Sequence, residues 1–306
     1  MGELNPAQQN VLDRLGKKAA PGEEFPAELG PSLRHELSQS FGPIAVRLTD
    51  PLFLNKHVIG MAMGCEKRFL AERATKFAWS PPTARGTIAH KAIELSVHRL
   101  DELAPPDLVD EAMASIGRND TGLGDWLQTC GDTVRAEVRS EAVARVAAFV
   151  ELWPALPNKW RPVLESSSSA EFCASMIILR GKTDLTIGTP AGRRAGKVIV
   201  DMKTGRYSPD HVSDLRYYAL LETMKIGVPP RMLATSYLDS GELHTEAVTE
   251  DMLWSQVHRV IDAAGRIATL LAEERDPVIQ PGPPCWWCPV QATCEPGIAW
   301  IAEKNE

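Results

Sequence analysis

Two short stretches carry acids and a lysine at spacings that suit metal-assisted chemistry on phosphate. Gly181-Lys182-Thr183-Asp184 sets one acid on an expected strand, and Val198–Lys203 (VIVDMK) ends a β-branched run with Asp201 and Lys203. Side chains alternate along a strand, so Asp201 and Lys203 project from the same face. A Gly-, Pro- and Arg-containing turn over 188–196 allows a hairpin that would bring Asp184 beside Asp201. Adjacent carboxylates repel unless a divalent cation lies between them. Hard oxygen ligands suit Mg²⁺ or Mn²⁺, and a neighbouring lysine can orient water and stabilise charge developing on phosphate. Taken alone, Asp-x-Lys is commonly a surface ion pair; the preceding apolar run favours a buried strand here. His90, in Gly-Thr-Ile-Ala-His, lies on an expected helix upstream. Alone it would be an ordinary helical histidine, but an imidazole beside two carboxylates makes a sound divalent-metal set.

A second kind of chemistry lies near the C-terminus. Cys285, Cys288 and Cys294 form a C-x2-C-x5-C pattern in CWWCPVQATC. In a reducing compartment such crowding reads as metal or cluster ligation rather than disulfides. Three thiolates leave a four-ligand site one short, and both zinc and iron–sulfur suit such a site. Cys130, in an expected helix, and Cys173, in an expected strand, read as small buried apolar groups.

The elements that must position these groups follow from periodicity. Residues 1–53 read as a helical extension, with Val11, Leu12 and Leu15 on one helical face. Helices are expected over Lys56–Ala74, Gly86–Leu100 and, with breaks, Asp107–Trp153. Beyond residue 163 the pattern changes to strands: Val163–Glu165, Glu171–Leu179, Asp184–Ile187 and Lys197–Lys203. A helix over Val212–Lys225, strands Ala234–Leu238 and His244–Val248, and a closing helix Glu250–Glu274 complete the chain. Helices followed by a small mixed sheet imply an α/β (α+β) fold with one central sheet.

The 306 residues are 44% hydrophobic and 24% charged, as in a globular chain with a sizeable core. The net charge of −7 is unevenly placed. Asp101–Glu151 holds 11 acidic and 4 basic residues, whereas Arg180–Tyr207 holds 7 basic against 2 acidic, a local excess of +5. The overall sign therefore excludes no nucleic-acid partner. No apolar run reaches the roughly 18–20 residues that span a bilayer. The N-terminus lacks a basic-then-apolar signal, and Pro6 stands where a myristoylation pattern needs Ser or Thr. A cytoplasmic protein without membrane attachment is expected. A Walker A pattern is absent, so no helicase motor is expected.

The ordered set GTIAH, GKTD, VIVDMKTG and a helix ending LRYY resembles the RecB-like branch of the PD-(D/E)XK nuclease superfamily. The resemblance covers about residues 54–296, with a helical insert at about 101–160 and a cysteine-rich tail at 285–296. It implies a restriction-endonuclease-like central mixed sheet flanked by helices. It also implies a Mg²⁺- or Mn²⁺-dependent nuclease in which His90, Asp184 and Asp201 hold the metal. Lys203 would be the catalytic lysine, and Tyr218 would match the Tyr of the last motif. Asp214 stands where the family has Gln, and Glu165 falls near an additional family acid. Clustered members of AddB type and of CRISPR adaptation also place a cysteine upstream of the histidine motif. Cys65 is thereby the fourth ligand, with Cys285, Cys288 and Cys294, of a 4Fe–4S cluster joining chain segments 220 residues apart. On thiolates alone a structural zinc would be the simpler reading. The implied substrate is DNA, single-stranded or with single-stranded ends, cut as by an exonuclease in repair or recombination, with repair-complex proteins as further partners. Arg206 and Lys197 are expected on the DNA path, with Arg193 and Arg194 equally readable as a solvated turn. The rival reading is a cluster- or zinc-stapled DNA-binding or structural subunit without nuclease activity.

Overall fold

The computed structural model describes residues 3–16, 22–97, 103–119, 121–205 and 207–305. The N-terminal half is helical: α1 (Pro6–Leu15), α2 (Leu29–Ala45), a short strand β1 (Leu52–Leu54), then α3 (Lys56–Met63), α4 (Glu66–Ala74), α5 (Pro81–Ser96), α6 (Pro105–Asn119), α7 (Thr121–Thr129) and α8 (Asp132–Leu152). There follow β2 (Val163–Phe172), β3 (Ile177–Ile187), β4 (Val198–Lys203), α9 (Asp210–Ile226), β5 (Met232–Tyr237), β6 (Glu242–Ala247), α10 (Glu250–Leu271) and α11 (Glu295–Asn305). The helices that matter for the site begin at capped positions. The Asn55 side chain accepts the Val58 N–H at 2.9 Å and starts α3 directly after β1. Ser80 precedes Pro81 and Pro82 at α5, and its N–H donates to Thr83 Oγ1 at 3.0 Å.

The sheet is mixed, in the order β1-β3-β4-β5-β6, with β2 paired to β3 off this path. The β3–β4 pair is antiparallel, with Leu185 opposite Val200 and Ile187 opposite Val198, which is the hairpin expected across the 188–196 turn. The β4–β5 pair is parallel, with α9 as crossover. Residues Val198–Met202 are all buried, as a central strand covered on both faces requires. On one face α2, α3, α9 and α10 pack around Phe41, Leu179, Ile199, Tyr217 and Leu253. On the other, α1, α5, α6, α7 and α8 pack around Ile88, Phe149, Trp153, Leu185 and Val200. The result is a helix–sheet–helix sandwich, the expected α/β class, and no described helix is long and apolar enough to cross a membrane.

Within the expected helical extension 1–53, α2 packs on the core: its Leu33, Leu37 and Phe41 are fully buried against α9 and α10. Two expectations change. The Lys56–Ala74 helix is two helices, because the chain turns at Gly64 (φ −93°, ψ −103°) and restarts with Cys65 at the head of α4. The expected strand Glu171–Leu179 straddles the β2–β3 hairpin turn, where Cys173, Ala174 and Ser175 have φ of 53°, 51° and 67°. Cys173 is thus a half-buried turn residue, and Cys130 is half-buried at the end of α7.

Two motif glycines differ in their reason for being glycine. A Cβ added at Gly181 would lie 2.6 Å from Leu221 Cδ1 and 2.9 Å from Tyr218 Cε1, so β3 and α9 approach only because that side chain is missing. A Cβ added at Gly86 would meet nothing within 4 Å. Gly181→Ala should therefore cost about 1–3 kcal/mol through overpacking. Gly86→Ala should stabilise by about 0.5–1 kcal/mol, since helix-interior glycine is entropically costly. Urea denaturation of both variants checks the opposite signs.

Candidate active site

Antiparallel pairing sets the geometry. With Leu185 opposite Val200, the preceding Asp184 meets the end of β4, and its Oδ2 accepts the Met202 backbone N–H at 2.6 Å. His90, two turns into α5, turns toward the same point: its Nδ1 lies 3.5 Å from Asp184 Oδ1 and 4.0 Å from Glu165 Oε1. Glu165 sits at a kink in β2, with φ of 50°. One ligand atom each from His90, Glu165 and Asp184 lies within 4.8 Å of the others, a spacing that one cation can bridge. These residues fit a hard divalent ion: one imidazole nitrogen and two carboxylates facing one point.

Asp201, also expected as a ligand, precedes Met202, whose N–H the Asp184 carboxylate accepts. Asp201 is buried and engaged by two ammonium groups, Lys56 Nζ at 3.1 Å from Oδ1 and Lys203 Nζ at 2.8 Å from Oδ2. Asp214, at the departure from the family pattern, faces the same lysines, 3.5 Å from Lys56 and 3.7 Å from Lys203. It therefore belongs to the site, and Arg216 pairs elsewhere, with Glu246. The Tyr218 ring lies under Lys56, with Nζ 4.9 Å from its centroid.

The two strand acids are pushed apart in acidity. Burial drives the Asp184 carboxyl up to about 6, against the opposing pull of the His90 imidazole. Burial also works against ionisation of Asp201, but Lys56 and Lys203 outweigh it and hold that carboxyl down at about 2. Lys56 stays charged: burial disfavours its ammonium, but Asp201 and further acids hold its pKa above the ordinary lysine value. Burial pushes the Tyr218 hydroxyl up to about 12, so it stays protonated while its oxygen can accept from the Lys56 ammonium. Lys182 also pairs with Glu165. Glu165, Asp184, Asp201 and Asp214 against Lys56, Lys182 and Lys203 leave one net negative charge before His90 is counted. That balance attracts a cation and becomes positive once a divalent ion enters, which suits a phosphodiester.

Lys56 was missed in the sequence because its partners lie 145 and 158 positions away. Of the expected DNA-path residues, Lys197 pairs with buried Glu222 on α9, and Arg206 lies outside the described residues. Arg194 bonds to Glu24 and to the Gly22 carbonyl at the loop end of the β3–β4 hairpin. The four expected cluster cysteines share one cavity, but no three of their sulfurs lie within 4.8 Å of one another. Cys65, Cys285, Cys288 and Cys294 line one cavity of about 640 Å³ that extends to Lys56 and Asp214.

The family model for the PD-(D/E)XK nuclease superfamily matches residues 61–295, so the chain belongs to that superfamily, whose members are nucleases that use divalent metals. No curated protein matches the chain. The crystal structure of SSO0001 aligns over 87% of this chain and 97% of its own at 11% identity, with a TM-score of 0.35, and a likeness that distant carries no argument.

Lys56→Met should destabilise the protein by about 1–3 kcal/mol, because Asp201 and Asp214 lose a buried cation. Adding Asp201→Asn should make the double variant less destabilised than the sum of the singles. Denaturation midpoints over the four-member cycle read the coupling.

Proposed function

We propose that this protein is a Mg²⁺- or Mn²⁺-dependent deoxyribonuclease that trims single-stranded DNA or single-stranded ends, as an exonuclease in repair or recombination. The observation that carries the reading is the His90–Glu165–Asp184 triad at one point beside the Asp201–Lys203 strand. His90, Glu165 and Asp184 would hold the cation, which supplies Lewis-acid polarisation of the phosphate and acidifies water. Asp201 serves as an anchor that keeps Lys203 and Lys56 charged and in place. Lys203 positions the attacking water and stabilises the charge that develops on phosphate. Tyr218 and Asp214 orient Lys56. Superfamily membership supports the DNA substrate, and the ordered RecB-like motifs support single-stranded ends.

The cysteine cavity belongs to the same proposal as the seat of a 4Fe–4S cluster. A Cβ added at Gly297 would make ordinary contact, at 3.5 Å, with both Cys285 Sγ and Cys294 Sγ, so these two thiols lie against the start of α11. Zinc would draw four sulfurs to about 2.3 Å from one point. Among the described residues the thiols form no such tight group. The order of the four cysteines around the RecB-like motifs is what supports a cluster. Cys65 at the head of α4 and the tail triplet would then be tied across the fold, adding ligand-linked stability.

Two expected outcomes follow. Wild-type protein with Mn²⁺ should degrade end-labelled single-stranded DNA, and Asp184→Asn or Glu165→Gln should lose at least roughly 100-fold in rate. Both variants should also lose the rise in melting temperature that Mn²⁺ gives the wild type. Equal rates and equal thermal shifts in the variants would remove the triad from the mechanism. Anaerobically purified protein should be brown and contain iron and labile sulfide. Cys65→Ser should lose both and melt earlier, whereas a colourless wild type carrying zinc would overturn the cluster.

A further inference from the structure

An aromatic pair stands at the mouth of the groove that ends at the triad. Phe77 is 71% exposed in the connection between α4 and α5, and its ring meets Trp79 edge-to-face with centroids 5.0 Å apart. Trp79 is half-buried and packs against the core under α5, so it fixes the pair to the scaffold. One exposed aromatic is unremarkable on a surface, but this pair is continuous with the site. A groove of about 720 Å³ runs from Phe77 and Trp79 past Thr83, Gly86 and Thr87 to His90 and Asp184. Residues 83, 86, 87 and 90 form one stripe of α5, by the three- and four-residue spacing of a helix.

The chemistry of that stripe favours bases over phosphates. Thr87 donates its hydroxyl to the Thr83 carbonyl at 3.0 Å, and Thr83 donates to the Ser80 carbonyl at 2.9 Å. Both hydroxyl protons are spent on the helix, so the stripe offers methyl groups and acceptor lone pairs. Lys91, farther along, is held by Glu94 at 2.9 Å. Gly86 opens the floor: a Cβ there would project into space that no packing requirement leaves empty. An aromatic face with an uncharged floor takes up the π-face of an unstacked base, a surface that duplex DNA keeps hidden within its stack. From Thr83 to His90 the helix rises about 10 Å.

We propose that Phe77 and Trp79 form a base-stacking platform that receives unstacked bases of single-stranded DNA and leads the strand along α5 to the His90–Glu165–Asp184 site. The platform deepens the nuclease reading and rests on it. It assigns the choice of single strands to named residues, because a stacked duplex offers those rings no base face.

The test measures binding to a fluorescein-labelled oligo(dT), and to an abasic strand with the same backbone, in EDTA so that nothing is cut. Wild type should prefer oligo(dT) by roughly tenfold or more. Phe77→Leu keeps apolar bulk at an exposed position but has no π-face, and should lose that preference; Phe77→Tyr should retain it. Cleavage by wild type with Mn²⁺ is read in parallel. If wild type cleaves single-stranded DNA but Phe77→Leu keeps the full preference, or if wild type binds both strands equally, the platform is wrong and the nuclease stands. A wild type that neither cleaves nor binds oligo(dT) overturns both.

Discussion

The structure turns on the pairing of β3 with β4, which brings Asp184 to the end of the strand that carries Asp201. Like charges about 4 Å apart repel by about 4 kcal/mol at an effective dielectric of 20, so such an arrangement needs counter-charge. The protein supplies it asymmetrically. Lys56 and Lys203 neutralise Asp201 from inside, while Asp184 is left with an imidazole and a second acid facing a groove. One carboxylate is thereby fixed in its ionised form and the other is kept available to a cation.

The surrounding elements make sense as supports for that asymmetry. Asn55 caps α3 and thus sets Lys56 at the start of a helix, where the dipole disfavours a cation; Asp201 and Asp214 offset that disadvantage. Gly181 lets α9 lie against β3, so Tyr218 and Asp214 reach the lysines. Glu66, fully buried, accepts two hydrogen bonds from Arg275 at 2.6 and 2.7 Å, and its Oε2 also accepts the Val278 N–H. That fork binds the segment before the cysteine tail to the head of α4, next to Cys65. The cavity of the four cysteines and the two lysines of the site are consequently linked through the single short helix α3.

The two grooves around the triad differ in character. The one along α5 is aromatic and hydroxyl-lined. The other, beyond Lys182, is lined by Arg180 and Ser167–Ser169 at the β2–β3 ladder. Lys182 lines both grooves, and the α5 groove also carries the Lys91–Glu94 ion pair.

Local order and periodicity were legible in the sequence. The β-branched run of Val198–Val200, the Asp-x-Lys alternation and the turn over 188–196 predict a hairpin with both acids together, because each depends only on neighbours in the chain. Superfamily membership was legible in the same way, from motifs read in order. What the sequence could not show depends on partners far apart. Lys56 has no local pattern, and its role exists only because β1 lies parallel to β3 and delivers α3 to the end of β4. Asp201 reads as a metal ligand from spacing; that two lysines also reach it depends on which side chains surround it after folding. Lys197 reads as a free cation, and burial against Glu222 decides otherwise. Charge in a sequence is additive and blind to neighbours; in the folded chain each ionisable group answers to the few others within several ångströms, and only tertiary structure chooses those.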